Sequence, residues 1–262
     1  MSDSKAHIVN YVWINDTPFT PDINDQDSLL CGVPLHYIDR VITNATRYPD
    51  AKFNIWFDFE FLDETSRLFI DSAVYFSRCK NIIIRNLRDI HLYANQDIFA
   101  TTAAYEHPSG YFGKQPHCIY ARADLARVIV LKHLTDLNPY TPVFYCDFDV
   151  ENISIENERV TSKLDEHGMV FGNTEDDAIE NGYMAFIASN LTEDVYFNCG
   201  TIQLLLQQTQ HAASLNKNGW RPLREIIACR SSSVDEVTVD GLLKPRGYKI
   251  PKPAFYDELR IC

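Results

Sequence analysis

The sequence predicts an α/β fold built on a doubly wound, mostly parallel sheet, and three observations carry the prediction. Short apolar strands and amphipathic helical stretches alternate from the start of the chain. The run Val143-Phe144-Tyr145-Cys146 is continuously apolar, as a strand buried on both faces of a parallel sheet should be. That run ends on Asp147-Phe148-Asp149, and the carboxyl ends of strands are where α/β proteins place ligands.

The first strand is expected over His7–Ile14, β-branched and aromatic, stopped by the turn formers Asn15-Asp16-Thr17-Pro18. From Pro34 to Tyr48, Leu35, Ile38, Val41, Ile42 and Ala45 recur at helical spacing, and Pro49-Asp50 ends that helix. Phe53–Phe57 reads as the second strand, Leu62–Ser77 as a helix with Leu68, Phe69, Ala73 and Phe76 on one face, and Asn81–Arg85 as a third strand. Between Leu87 and Gln115 the pattern becomes aromatic and polar, a loop or loosely helical segment near the site. Tyr120–Leu134 is a strong amphipathic helix leading to the carboxylate strand. Two more strands follow at Met169–Gly172 and Tyr183–Ala188, on either side of the acidic Thr174-Glu175-Asp176-Asp177, and Thr201–Leu215 is read as helix. One domain spanning 1–262 follows, with 87–118 as a helical or loop insertion and 216–262 as a C-terminal lid or tail.

At 262 residues and 45% hydrophobic content, the chain has enough apolar surface for one sizeable core. Its net charge of -12 leaves no basic stripe to neutralise phosphates, which argues against a nucleic-acid binder. The 7 cysteines are scattered and include no Cys-x-x-Cys pair, so neither a structural zinc site nor a disulfide framework is indicated and reduced thiols are expected. No stretch approaches the length of an apolar membrane span, and Met1-Ser2-Asp3-Ser4-Lys5 lacks the apolar core of a signal peptide. The expectation is a protein that works in the cytoplasm, or reaches a host cell without a cleaved leader.

The chemistry centres on Asp147 and Asp149. In an extended chain, residues two apart point the same way, so both carboxylates are expected to converge on one cation. Mg²⁺ or Mn²⁺ carrying a diphosphate is the natural occupant, because hard cations take carboxylate and phosphate oxygens. Trp13, at the carboxyl end of the first strand, is either a core tryptophan or a flat platform for a nucleobase. Asp124 and Arg127 lie three apart on one helix face. They are either a surface ion pair, contributing under about 1 kcal/mol, or both face the cleft beside the carboxylate strand.

Three blocks of the chain, Ile8-Val9-Asn10-Tyr11-Val12-Trp13-Ile14, Ala123-Asp124-Leu125-Ala126-Arg127-Val128 with Lys132, and Tyr145-Cys146-Asp147-Phe148-Asp149, together resemble a group of glycosyltransferases. The group includes the glucosyltransferase domains of large clostridial toxins and the arginine GlcNAc-transferase effectors of enteric bacteria. The resemblance implies a GT-A-like fold with helices on both faces and a C-terminal helical or loop appendage. It also implies a UDP-sugar donor, UDP-glucose or UDP-N-acetylglucosamine, with Mn²⁺ or Mg²⁺, retention of anomeric configuration, and a protein acceptor that in this group belongs to a host.

Carried over residue by residue, Trp13 resembles the uracil-stacking tryptophan, with Ile14 and Phe148 beside the nucleotide. Asp124 and Arg127 resemble the pair that holds the sugar hydroxyls and diphosphate, and Tyr145 a sugar- or phosphate-facing aromatic. Asp147 and Asp149 resemble the metal pair, and Asn181 an asparagine on the donor sugar, with Glu180 the nearest acceptor-side base. The group's C-terminal metal ligand and lid tryptophan have no clear counterpart. Ser231, Ser233, Asp235 and Asp257 are the candidates for the ligand, of which Asp257 is adopted, and Trp220 is either lid or core. The group's Gly-Gly turn before the metal strand is replaced by the longer Thr135–Pro142.

Three other readings are open. A haloacid-dehalogenase-type phosphatase also uses Asp-x-Asp after an apolar strand. It normally carries the motif on its first strand, whereas Asp147 lies past the middle of this chain. A transferase fold that has lost its chemistry would act as a binding module. A transferase building surface polysaccharide would share the donor site and differ only in acceptor.

Overall fold

The computed structural model describes residues 7–15, 29–62, 64–72, 79–94, 119–173 and 179–190. Six strands form one sheet: β1 (Ile8–Trp13), β4 (Lys52–Phe57), β5 (Ile82–Asn86), β6 (Val143–Cys146), β7 (Met169–Asn173) and β8 (Ile179–Phe186). Their order is β5-β4-β1-β6-β8-β7. The first four are parallel neighbours, while β8 runs antiparallel to both β6 and β7. A separate two-stranded hairpin joins β2 (Leu29–Leu30) to β3 (Val33–Pro34). The α/β class and mostly parallel sheet agree with expectation; the two strands at one side are the antiparallel part.

Period-two alternation along the strands sorts the core into two layers. Val9, Tyr11, Phe53, Ile55, Phe57, Phe144, Cys146, Tyr183 and Ala185 pack on one face. They meet helices α1 (Leu35–Arg47), through Ile38, Val41 and Ala45, and α5 (Glu158–His167), through Val160 and Leu164. Ile8, Val12, Trp56, Val143, Tyr145, Met184 and Phe186 line the other face. There they meet Ala126, Val128, Ile129, Val130 and Leu131 of helix α4 (Ile119–Leu137). Helices therefore cover both faces, and α2 (Glu64–Ser72) and the short α3 (His91–Ala94) are the other α-helices among the described residues.

Helix ends follow their local chemistry. Asn157 caps α5, its side chain accepting from the Arg159 N–H at 2.9 Å, and Gly168 closes it with φ +73. The chain leaving α1 is tied from outside: the Asn81 amide donates to the carbonyls of Ala45 in its last turn, of Tyr48 at its C-cap and of Ala51 before β4, each at 3.0 Å.

Several boundaries differ from the sequence reading. β8 starts at Ile179 rather than Tyr183, because hairpin pairing of Gly172 with Glu180 and Asn173 with Ile179 extends it. Glu180 and Asn181 thus lie on a strand. Within 87–115, Leu87, Ile90 and Tyr93 are buried in the second core layer, so this part of the aromatic stretch is anchored. The helix expected at 201–215, and Asp176-Asp177, Trp220 and Asp257, lie outside the described residues. Among the described residues, no helix is long and apolar enough to cross a membrane.

Candidate active site at the carboxyl end of β6

β1 and β6 are parallel neighbours, with Asn10 opposite Tyr145, so Trp13 and Asp147 both come from the carboxyl rim of the sheet. The strand stops at Cys146. Residues 147–150 turn instead, with the Val150 N–H donating to the Asp147 carbonyl at 3.1 Å. Strand alternation therefore does not by itself orient Asp147 and Asp149 alike, since the extended geometry behind that expectation ends one residue before the motif.

Asp147 is buried, only 8% exposed, and closely held. Its Oδ1 accepts the Tyr145 hydroxyl at 2.5 Å and forms an ion pair with Arg127 Nη1 at 3.3 Å. The Arg127 guanidinium also lies over the Tyr145 ring, 4.9 Å from its centroid. A carboxylate this far from water needs a cation and donors, and these two side chains supply both. Arg127 is thus buried, 8% exposed, and not a surface residue. It crosses from α4 to the strand end, while the side chain of Asp124 lies outside the described atoms. Tyr145 is 1% exposed, so its influence on a ligand runs through Asp147 and Arg127.

Gly182 forms the opposite wall. Its carbonyl accepts the Asp147 N–H at 2.7 Å, and a Cβ placed on it would stand 3.0 Å from Asp147 Oδ2. The β7–β8 register breaks between Phe171 and Gly172: Phe171 pairs with Met184 and Gly172 with Glu180. Residues 181–183 therefore bulge away from β7 beside the carboxylate, a common device for re-aiming backbone at sites. Asn181 belongs to this bulge and Glu180 is the paired residue just before it, the side chains of both outside the described atoms.

Asp149 is half-buried, and its carbonyl accepts from Arg40 Nη1 at 3.2 Å, while Arg40 Nη2 pairs with Glu151 at 3.3 Å. Phe148, between the two aspartates, is buried; its ring meets Tyr11 at 5.1 Å and stands edge-on to Trp13 at 5.8 Å, with planes 88° apart. Trp13 itself is half-buried, its indole N–H donating to Asn15 Oδ1 at 3.0 Å. Ile14 is 4% exposed and belongs to the core layer facing α4. Cys146 is a poor candidate nucleophile, because burial, reinforced by the neighbouring Asp147 carboxylate, pushes its thiol pKa well up.

Two carboxylates at one strand end suit a hard divalent cation that takes its remaining oxygens from a diphosphate. Among the described residues, no group of three or more His, Cys, Asp or Glu gathers to hold a metal.

Sequence reasoning passed over Gly182, Arg40, Asn15 and a buried amide ladder beneath the site. In that ladder Asn10 Nδ2 donates to the Phe144 carbonyl at 2.8 Å, and Asn10 Oδ1 accepts from Asn54 Nδ2 and Trp56 Nε1, each at 3.0 Å. The available signal was an asparagine inside each of two apolar strands, a polar group that burial obliges to find partners.

No protein-family model and no curated protein sequence matches the chain. Solved structures are similar to it at the level of overall shape. Mouse xyloside xylosyltransferase 1 in its apo form gives a TM-score of 0.45 at 10% identity, over 86% of this chain and 82% of that one. The galactosyltransferase LgtC, in complex with donor and acceptor sugar analogues, gives 0.45 at 10% identity over 83% and 70%. The apo bifunctional glycosyltransferase WbbM gives 0.40 at 10% identity, over 82% of this chain and 35% of its own.

Proposed function

We propose that the protein is a retaining glycosyltransferase that takes glucose or N-acetylglucosamine from a UDP-sugar, assisted by Mn²⁺ or Mg²⁺. A protein side chain, of host origin, is the proposed acceptor. The observation that carries the reading is the Arg127–Asp147–Tyr145 cluster on the rim that also bears Trp13. One guanidinium and one buried carboxylate at that rim support a diphosphate with its metal as the ligand. The three sequence blocks named above supply the same residues.

In this reading the Trp13 ring stacks on uracil, backed by Phe148. Asp147 and Asp149 hold the divalent ion, with Asp257 as a further ligand. That ion, when bound, would neutralise charge developing on the departing diphosphate. Arg127 brings a guanidinium to the same phosphates, oriented in advance by Tyr145 and Asp147. Asp124 and Asn181 orient the sugar, and Glu180 serves the acceptor side as base.

A thermal-shift panel of nucleotide sugars, run on the full chain with and without Mn²⁺, tests the proposal. Stabilisation by one UDP-sugar that requires Mn²⁺ and disappears in Asp147→Ala is expected. A generic phosphoester hydrolysed by a protein that ignores every UDP-sugar would replace this reading with the phosphatase one.

A further inference from the structure

The nucleotide end of the site contains a bridge that stacking alone does not require. β2 and β3 are joined by just Cys31 and Gly32, with φ of +54 and +86. Positive φ at both positions is what a two-residue type I′ hairpin turn demands. Gly32 adopts it freely, but Cys31 is a non-glycine residue in left-handed backbone, a conformation that its surroundings must hold.

Asn15 supplies such a hold. Its Nδ2 donates to the Cys31 carbonyl at 3.2 Å, while its Oδ1 accepts the Trp13 indole N–H at 3.0 Å. Gly32 presses against the same amide: a Cβ there would lie 2.5 Å from Asn15 Oδ1. One amide is thus fitted between a bare glycine, a strained turn and the edge of the indole. Phe148 stands edge-on to the same indole. A ring held this way presents one face in a fixed plane, the arrangement that suits a flat heteroaromatic ligand.

We infer that Asn15 is a positioning residue for nucleobase binding, its amide tying the Trp13 indole N–H to the Cys31-Gly32 turn so that the ring plane is set before the base arrives. The inference rests on the reading of Trp13 as the uracil platform. Rigid placement of the ring lowers the ordering cost of binding, so losing the bridge should weaken UDP without removing any group that touches it.

The test is calorimetric titration of the full chain with UDP in the presence of Mn²⁺, together with thermal unfolding of each variant. Trp13→Ala should raise the Kd of UDP by roughly tenfold or more, the scale of base stacking. Asn15→Ala should raise it about three- to tenfold, the worth of one hydrogen bond. Gly32→Ala, which drives the amide from its place, should do the same. In a Trp13→Phe background, whose ring has no N–H, Asn15→Ala should cause no further loss. An equal loss in both backgrounds means that Asn15 acts on the hairpin and not through the indole, which overturns the inference and leaves the platform standing. An unchanged Kd in Trp13→Ala overturns the platform and the inference together.

Discussion

Replacing Arg127 by methionine keeps most of the side chain's apolar stem while removing the cation from Asp147. The two groups are 10% and 11% exposed and 3.3 Å apart, so water screens the pair little. At an effective dielectric constant of about 20, charges at that distance attract by about 5 kcal/mol before desolvation is subtracted. Removing one member of a buried pair typically costs about 3–5 kcal/mol, because the other charge is left without compensation. The Tyr145 hydroxyl still donates to the carboxylate, so the lower part of that range is expected, about 3 kcal/mol. Urea unfolding at pH 7 measures the loss, and repeating it in an Asp147→Asn background isolates the pair. With the carboxylate neutralised, Arg127→Met should cost about 1.5–3 kcal/mol less, the worth of a hydrogen bond to a charged group. If the two backgrounds lose equal stability, the ion pair is not what holds the guanidinium, and the account of a charge-compensated strand end is wrong.

Three further outcomes are expected. Gly182→Ala brings a methyl to 3.0 Å from Asp147 Oδ2; stability should fall by only about 1 kcal/mol, while Mn²⁺-dependent UDP affinity drops roughly tenfold, and unchanged affinity would remove the carboxylate's position from the argument. Tyr93→Phe deletes the hydroxyl that donates to Asp58 Oδ2 at 2.9 Å. Because the Asp58 side chain is 0% exposed, with the Arg88 guanidinium and the Glu60 backbone N–H as its other partners, denaturant unfolding should report a loss of about 1.5–3 kcal/mol with an unaltered m-value; a neutral result would show that Arg88 and the Glu60 N–H suffice without the phenol. The third concerns alkaline pH. Burial is the first cause that raises the pKa values of Tyr11, Cys146 and Tyr183 well above their ordinary values. The folded protein therefore keeps protons that the unfolded chain releases, so stability should be full below about pH 8.5, begin to fall as pH passes the ordinary thiol and phenol values, roughly 8.5 to 10, and keep falling toward the raised folded-state values. A melting temperature that is flat from pH 8 to 11 would contradict this burial.

Much of the scaffold was legible because it is written at short range. The 143–146 run is apolar at every position, so it reads as a strand buried on both faces, and all four residues are. The helix over 119–137 announced itself through apolar spacing, and Arg127 could be named as a cleft candidate because it sits a turn from Asp124. The limits of β8 were not legible: Glu180-Asn181-Gly182 has turn-like composition, and only pairing with β7 makes strand of it. Asn15 reads in sequence as a turn former and nothing more, since its partners are the indole two residues back and a carbonyl sixteen residues on. Gly182 carries no local mark of its closeness to Asp147, thirty-five positions away.

The sequence by itself determined the strands at β1, β4, β5, β6 and β7, the helices over 35–47 and 119–137, which residues along each strand share a face, and that two carboxylates end a buried strand; it did not mark the helix at Glu158–His167 or the β2–β3 hairpin. Those properties depend on residues two to four apart, where backbone geometry alone relates side chains. Tertiary structure decided that β8 enters antiparallel beside β6, that Arg127 reaches Asp147, and that Gly182 leaves room for that carboxylate. Such contacts arise from strand pairing across long loops and from burial of the charge, and no local periodicity encodes either.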